Sequence, residues 1–145
     1  QRQMCKETGV IKIESGTLTL VDIHPVAIHK FVKNTDDLWM LDESQGAGIV
    51  RGGIITGGNA GYNDGGGVYV CPGAGLVMRG GNIVGCSAVG EHNTAGGVLV
   101  ARSASFVMKA GKIAGCTAAR GGGVYVGMAV LSVCGSAVVL GKKRK

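Results

Sequence analysis

The stretch Gly65–Val70 (Gly-Gly-Gly-Val-Tyr-Val), continued by Gly80–Ala88 (Gly-Gly-Asn-Ile-Val-Gly-Cys-Ser-Ala), decides the fold of this 145-residue chain. The first part returns as Ala95–Val100 and again as Gly121–Val126, and the second part returns as Gly111–Ala118. Self-similarity at a fixed spacing of tens of residues is the signature of a repeat architecture. The fold is therefore predicted from the repeat before any single motif is considered.

The spacing of the copies is nearly constant. Val98 follows Val68 by 30 residues and precedes Val124 by 26, and Cys116 follows Cys86 by 30. Each copy contains short apolar runs separated by glycines, a pattern typical of short strands joined by tight turns. Helix is disfavoured by the 28 glycines of the chain.

Three short strands recur in each repeat, exemplified by Val68–Val70, Leu76–Met78 and Ile83–Val84. In the first two, the outer residues face one side of the strand and the central residue faces the other. One repeat cannot bury its inner face alone, whereas stacked repeats pair each strand in parallel with its copy about 4.8 Å away. The sequence therefore predicts an all-β fold, a single-stranded parallel β-helix (a solenoid) of about five coils of 26–30 residues.

The predicted β-helix covers residues 1–141 and is followed by a basic tail, 142–145. Residues 1–45 are expected to form irregular N-terminal coils and 46–141 the regular repeats. Leu38–Trp39–Met40, which stands 30 residues before Val68–Val70, is interpreted as a first strand. The stretch 24–37 has no clear copy and is expected to form a longer turn. The predicted coils are 9–36, 37–66, 67–96, 97–122 and 123–141.

The pattern Gly-Gly-Gly-Val-Tyr-Val, combined with Phe-x-Met-x-x-Gly-x-Ile-x-Gly-Cys-x-Ala at 106–118, resembles a known group of repeats. It is similar to the repeats of right-handed parallel β-helix surface proteins, including polymorphic outer-membrane-protein-type and adhesin-like Gly-Gly-x-Ile repeats. The resemblance implies a right-handed solenoid, as does the general handedness of parallel crossovers. It also implies a glycine-rich structural or adhesive segment of a secreted or cell-surface protein. Where such repeats commonly carry an inward asparagine, this chain has Gly58, Cys86 and Cys116.

Cys86 and Cys116 are expected to lie one above the other in adjacent coils, within the range of Cα separations that disulfides span. Parallel side chains in register point the same way, however, which is unfavourable for the disulfide dihedral angle. Free buried thiols that pack as small hydrophobic groups are therefore favoured over a disulfide.

The outward residues of the first strands form a candidate ligand-binding flank. A row of aromatic rings suits the apolar faces of sugars, but it is also how neighbouring strands pack laterally. Plain packing and ligand binding both remain open for this flank, and packing is the simpler interpretation. Its members are Trp39, Tyr69, Leu99 and Tyr125.

Enzyme activity has little support in the sequence, although it is not excluded. Polysaccharide-cleaving enzymes use clustered carboxylates, and 46–145 contains only Asp64 and Glu91. No catalytic residue, metal site or cofactor is predicted. A non-enzymatic structural or adhesive role is favoured, and two alternatives are a carbohydrate-binding or polysaccharide-processing β-helix and a fragment without independent function. The most enzyme-like acidic grouping surrounds Trp39 and comprises Asp36, Asp37, Asp42 and Glu43.

Charge is distributed unevenly along the chain, whose net charge is +6. Residues 1–45 carry seven acids and five bases, whereas 46–145 carry two acids and ten bases. No basic stripe with interleaved aromatics is present, so nucleic acid is not an expected partner. The expected partners are a glycan, a host or cell-surface protein, or further copies joined end to end through exposed strand edges.

The apolar run Val124–Gly141 contains no charged residue and is followed by four basic residues. A short membrane-spanning helix with a basic stop is one interpretation of this run. The copy of the repeat at Gly121–Val126 favours the other, a last β-coil. No secretory leader is visible at Gln1, and the expected location, extracellular or at the cell surface, comes from the resemblance.

Overall fold

The protein is all-β in this computed structural model, which describes residues 9–35, 39–44, 46, 48–61 and 64–143. Within these ranges there are strands and turns but no helix, as the glycine content predicts. In chain order the strands are β1 (Ile11–Ile13), β2 (Thr17–Leu20), β3 (Ile28–Lys33), β4 (Trp39–Leu41), β5 (Gly48–Arg51), β6 (Ile54–Thr56), β7 (Val68–Val70), β8 (Gly75–Met78), β9 (Asn82–Val84), β10 (Val98–Val100), β11 (Ser105–Met108), β12 (Lys112–Ala118), β13 (Val124–Val126), β14 (Val130–Val133) and β15 (Val138–Lys143).

Three parallel sheets of four strands each form the body of the molecule. The first sheet has the order β1-β7-β10-β13, the second β2-β8-β11-β14 and the third β6-β9-β12-β15. The chain therefore passes through the first, second and third sheets in the same sequence four times, and each passage is called a circuit below. The prediction of about five coils is wrong by one, because 37–66 does not form a coil of its own.

The register of the sheets follows the sequence repeat. Val98 lies opposite both Val68 and Val124, and Met108 lies opposite Met78. Ile55 of the first circuit lies opposite Ile83, the offset of 28 that the Gly-Gly-x-Ile motif predicts. These pairings confirm the predicted superposition of the copies, because each strand repeats the alternation of the strand beside it.

One hydrophobic core lies between the three sheets. It contains Val68 and Val98 from the first sheet, Leu76 and Phe106 from the second, and Ile113 from the third, all fully buried. Each row of the core is filled by equivalent residues of successive circuits, so that burial in one circuit depends on the next.

Glycine precedes the first strand of each circuit because neighbouring backbones approach closely there. A Cβ atom on Gly97 would overlap the carbonyl oxygen of Gly123, and one on Gly66 would overlap the carbonyl oxygen of Ser87. The recurrent Gly-Gly pairs are thus a requirement of stacking and not only of turning.

Residues 28–51 depart from the prediction and form an insertion in the first circuit. β3 pairs antiparallel with β4 on one side and with β5 on the other, which gives a separate three-stranded sheet between β2 and β6. The longer turn expected at 24–37 therefore contains the strand β3. The parallel strands resume at Ile54.

The apolar run Val124–Gly141 contains β13, β14 and most of β15, each paired in parallel with the preceding circuit. No helix in the described part of the chain is long and apolar enough to cross a membrane. Lys142 and Lys143, expected in a basic tail, lie in β15 opposite Thr117 and Ala118. The remaining two tail residues, 144–145, lie outside the described residues.

Candidate ligand-binding surfaces

The outward row of the first sheet brings together three of the four predicted flank residues. Tyr69, Leu99 and Tyr125 occupy adjacent strands in register, and Lys12 stands beside Tyr69 in the place expected for Trp39. Leu99 is only 6% exposed, whereas both tyrosines are half-buried. The row therefore consists of two tyrosines packed against a central leucine.

Trp39 lies elsewhere, in β4 of the insertion, where it pairs with Lys33 of β3. The ammonium group of Lys33 lies 5.2 Å from the centroid of the Trp39 ring, within the range of a cation–π contact. Because its strand is antiparallel and belongs to a different sheet, Trp39 is not part of the flank, and the prediction that placed it there is wrong. The misleading signal was a three-residue likeness to Val68–Val70.

Trp39 fastens the insertion to the third sheet through two glycines of equivalent position. A Cβ atom on Gly115 would overlap the Trp39 indole, and one on Gly85 would overlap the Trp39 carbonyl oxygen. Both glycines have a positive φ, 69° for Gly85 and 62° for Gly115. They stand 30 residues apart in the repeat, so this pair was visible in the sequence as a flat site, although its occupant was not.

A cavity of about 350 Å³ lies between the insertion and the third sheet. From the insertion, Phe31 and Trp39 line it, and from the third sheet, Val84, Lys112 and Thr117. Sequence analysis did not predict this cavity, because it exists only where the insertion folds back on the third sheet. The other lining residues are Lys33, Gly48, Ile49, Val50, Ala114, Gly115 and Leu140.

Cys86 and Cys116 are stacked in the core as free thiols, as favoured from the sequence. The Cys116 Sγ donates a weak hydrogen bond to the Ala114 carbonyl oxygen at 3.4 Å. The contact with Cys116 and the loss of water on burial both hold the pKa of Cys86 well above its ordinary value. The two thiols therefore act as small core residues in their protonated form.

The candidate carboxylates are engaged in turns. Asp64 Oδ1 accepts a hydrogen bond from the Thr94 backbone amide at 2.6 Å and so joins two circuits. Asp42 accepts hydrogen bonds from the Ser44 amide and hydroxyl, and Glu43 lies 2.9 Å from His29 Nδ1. Glu91 is exposed in a turn. The other two acids of the grouping near Trp39, at 36 and 37, lie outside the described residues.

The two candidate surfaces are thus the Tyr69–Leu99–Tyr125 row on the first sheet and the cavity beneath Trp39 on the third. Comparison of the chain with protein-family models, with curated proteins and with solved structures finds no match.

Proposed function

We propose that this chain is a right-handed parallel β-helix that serves as a non-enzymatic structural or adhesive segment of a secreted or cell-surface protein. The observation that carries the proposal is the register common to the parallel sheets over successive circuits. Right-handedness is supported by the strong general preference for right-handed parallel crossovers. A stacked solenoid is a stiff rod with long flanks, which is the property that a scaffold or an adhesive stalk needs.

The exposed face of the last circuit is the first functional surface of this rod. Leu131 and Val133 lie in register with Phe106 and Met108, which are fully buried core residues. In the last circuit the same core positions are exposed, 39% for Leu131 and 46% for Val133. An apolar row with unpaired strand edges is a template for further strand pairing. A second copy of this chain is the proposed occupant, stacked end to end.

The second surface is the Tyr69–Leu99–Tyr125 row, which is proposed to contact a glycan or a host or cell-surface protein. Tyrosines that keep part of the ring in solvent combine an apolar face with a hydroxyl group and are enriched at recognition surfaces. The lysine beside Tyr69, Lys12, adds a positive charge at one end of the row.

End-to-end association is tested by sedimentation velocity over a range of concentrations. The chain is expected to form species larger than a monomer, and Leu131→Lys is expected to give a monomer, because a charge on the terminal face opposes burial. The matched control is Val26→Lys, which replaces a residue that is equally apolar but lies 80% exposed in the loop before the insertion. A monomer at all concentrations, or equal effects of the two variants, would contradict this part of the proposal.

Recognition by the tyrosine row is tested with a glycan array and with binding to cells. Tyr69→Ala is expected to abolish binding while the β-sheet circular dichroism remains unchanged. A reducing-sugar release assay separates recognition from processing, and release of sugar by the chain would contradict the non-enzymatic role.

A further inference from the structure

The cavity beneath Trp39 has a buried floor and an exposed rim. Phe31 and Val84, on opposite walls, are almost completely buried, whereas Ile49 and Leu140 are largely exposed. A volume of about 350 Å³ is at the lower end of the range for small-molecule sites, roughly 300–1,000 Å³. The shape therefore suits a small ligand with an apolar body, inserted from the rim.

One polar atom in the cavity has no partner. Thr117 is 5% exposed, and its Oγ1 makes no hydrogen bond with any residue that the structure describes. Leaving a buried hydroxyl without a partner costs about 1–3 kcal/mol, so native structures rarely contain one without a reason. Thr117 lies on the outer face of β12, since its neighbour Cys116 faces the core. The hydroxyl therefore marks a place where a ligand atom forms a hydrogen bond.

The charge in the cavity is of one sign. Lys112 and Lys33 line it, and no acidic residue is among the described residues that do so. Lys112 is half-buried, which strengthens its attraction for an anion relative to a fully hydrated lysine. The remaining walls are apolar or glycine, so that the cavity selects an anionic ligand with an apolar body.

The outer face of β12 places these groups in a fixed order. Lys112 comes first, then Ala114 and Gly115 beneath the Trp39 ring, and then Thr117. Five steps along an extended strand measure about 16 Å, and the distance is shorter here because the pairing with β15 shifts between Ile113 and Cys116. A cationic end, an apolar middle and a hydroxyl end thus follow one another along one strand.

We infer that this cavity binds a small organic carboxylate with an apolar body, whose carboxylate lies at Lys112, whose body lies against Trp39, and whose distal oxygen is hydrogen-bonded to Thr117. The site is independent of the terminal face and of the tyrosine row. Two kinds of apolar body fit this description, a flat aromatic ring system and a short acyl chain.

The inference is tested by isothermal titration calorimetry with matched ligands. The aromatic set is a naphthoate with a hydroxyl on the opposite ring, naphthoate without that hydroxyl, and naphthol without the carboxylate. The acyl set is ω-hydroxydecanoate with decanoate. Binding of either hydroxy acid with one molecule per chain is expected, and it is expected to exceed binding of the ligand that lacks one polar end. No binding of either hydroxy acid at millimolar concentration would overturn the inference.

Two variants then assign the ends of the ligand. Lys112→Gln is expected to weaken binding of both acids about tenfold and to leave naphthol unchanged, since it removes a charge-assisted contact. Thr117→Val, of nearly equal volume, is expected to weaken the hydroxy acid about fivefold and to leave plain naphthoate unchanged. Lys109→Gln is the control, because Lys109 is exposed and outside the cavity. Equal weakening of all ligands by either variant would overturn the assigned orientation.

Discussion

The parallel body and the antiparallel insertion obtain their stability in different ways. In the body, every inward residue is covered by its own copy in the next circuit, so Val68, Val98 and Phe106 are fully buried. In the insertion, β3 has no copy to cover it, and Phe31, at 1% exposure, is its only fully buried large side chain among the described residues. The insertion therefore depends on its contact with the third sheet, which is made by Phe31 and Trp39.

This difference implies an order of local stability. Amides in the middle circuits are expected to exchange only on global unfolding, whereas the insertion opens separately at lower cost. The body acts as the scaffold, and the insertion and the exposed terminal face are the places where the molecule meets other molecules.

The largest expected effect is produced by a charge in the body. Val98→Asp is expected to abolish folding, because an unpaired carboxylate in the core costs about 4 kcal/mol or more. Far-UV circular dichroism and urea unfolding measure this loss.

Leu99→Lys is the matched control in the adjacent position. Leu99 faces outward but is covered by Tyr69 and Tyr125, so the lysine chain is expected to lie between the rings with its ammonium in water, at a cost of about 1 kcal/mol. Equal damage from the two substitutions would show that the inward and outward faces are assigned wrongly.

A smaller effect is expected from one methyl group at the contact between circuits. Gly97→Ala places a Cβ against the Gly123 carbonyl oxygen and Ile113, and it is expected to cost about 2–3 kcal/mol through overpacking. Gly127→Ala makes the same chemical change where the nearest atom is 3.6 Å away, so stability is expected to stay the same or rise by about 0.5 kcal/mol. Similar unfolding midpoints for the two variants would contradict the close stacking of circuits at Gly97.

The insertion is expected to respond locally to a change at Trp39. Trp39→Ala is expected to remove about 2 kcal/mol of local stability, since a half-buried indole is lost. Hydrogen exchange should become faster in β3, β4 and β5 and stay unchanged in β10 and β11. Met40→Ala, on the same strand but largely exposed, is expected to change exchange by less than about 0.5 kcal/mol. Equal acceleration in the body would contradict the separate opening of the insertion.

The smallest expected effect is the dependence of stability on alkaline pH. Because folding raises the pKa of Cys86 above its ordinary value of 9.0, its contribution to stability is fully present below about pH 9 and is lost as the pH rises toward the raised value. Thermal unfolding of the wild type is therefore expected to become easier above pH 9 more steeply than that of Cys86→Ala. Parallel pH profiles for the two proteins would contradict the buried thiol pair.

The sequence predicted the body well because a repeat carries its own alignment. The equal offsets of Val68, Val98 and Cys86 from their copies specify which strands are neighbours, and parallel stacking specifies the rest. The free thiols, the outward row of the first sheet and the last coil at Val124 followed from the same argument.

The insertion and its cavity were not predicted because they have no copy in the chain. The alternation at Ile28–Lys33 was overlooked beside Pro25, and the three residues around Trp39 were assigned to the nearest repeat. Counting them as a coil gave about five in place of the observed four. A contact such as that of Trp39 with Gly115 depends on where an insertion folds back, which local patterns do not encode.

The account rests on the claim that copies about 30 residues apart lie directly against one another. Methyl-labelled methionine tests it most directly, since Met78 and Met108 lie in register within the core while Met40 and Met128 are exposed elsewhere. A nuclear Overhauser cross-peak between the Met78 and Met108 methyl groups, lost on Met108→Leu, is the predicted result. Two sharp, assigned methyl signals without a cross-peak between them would contradict the stacking of the circuits.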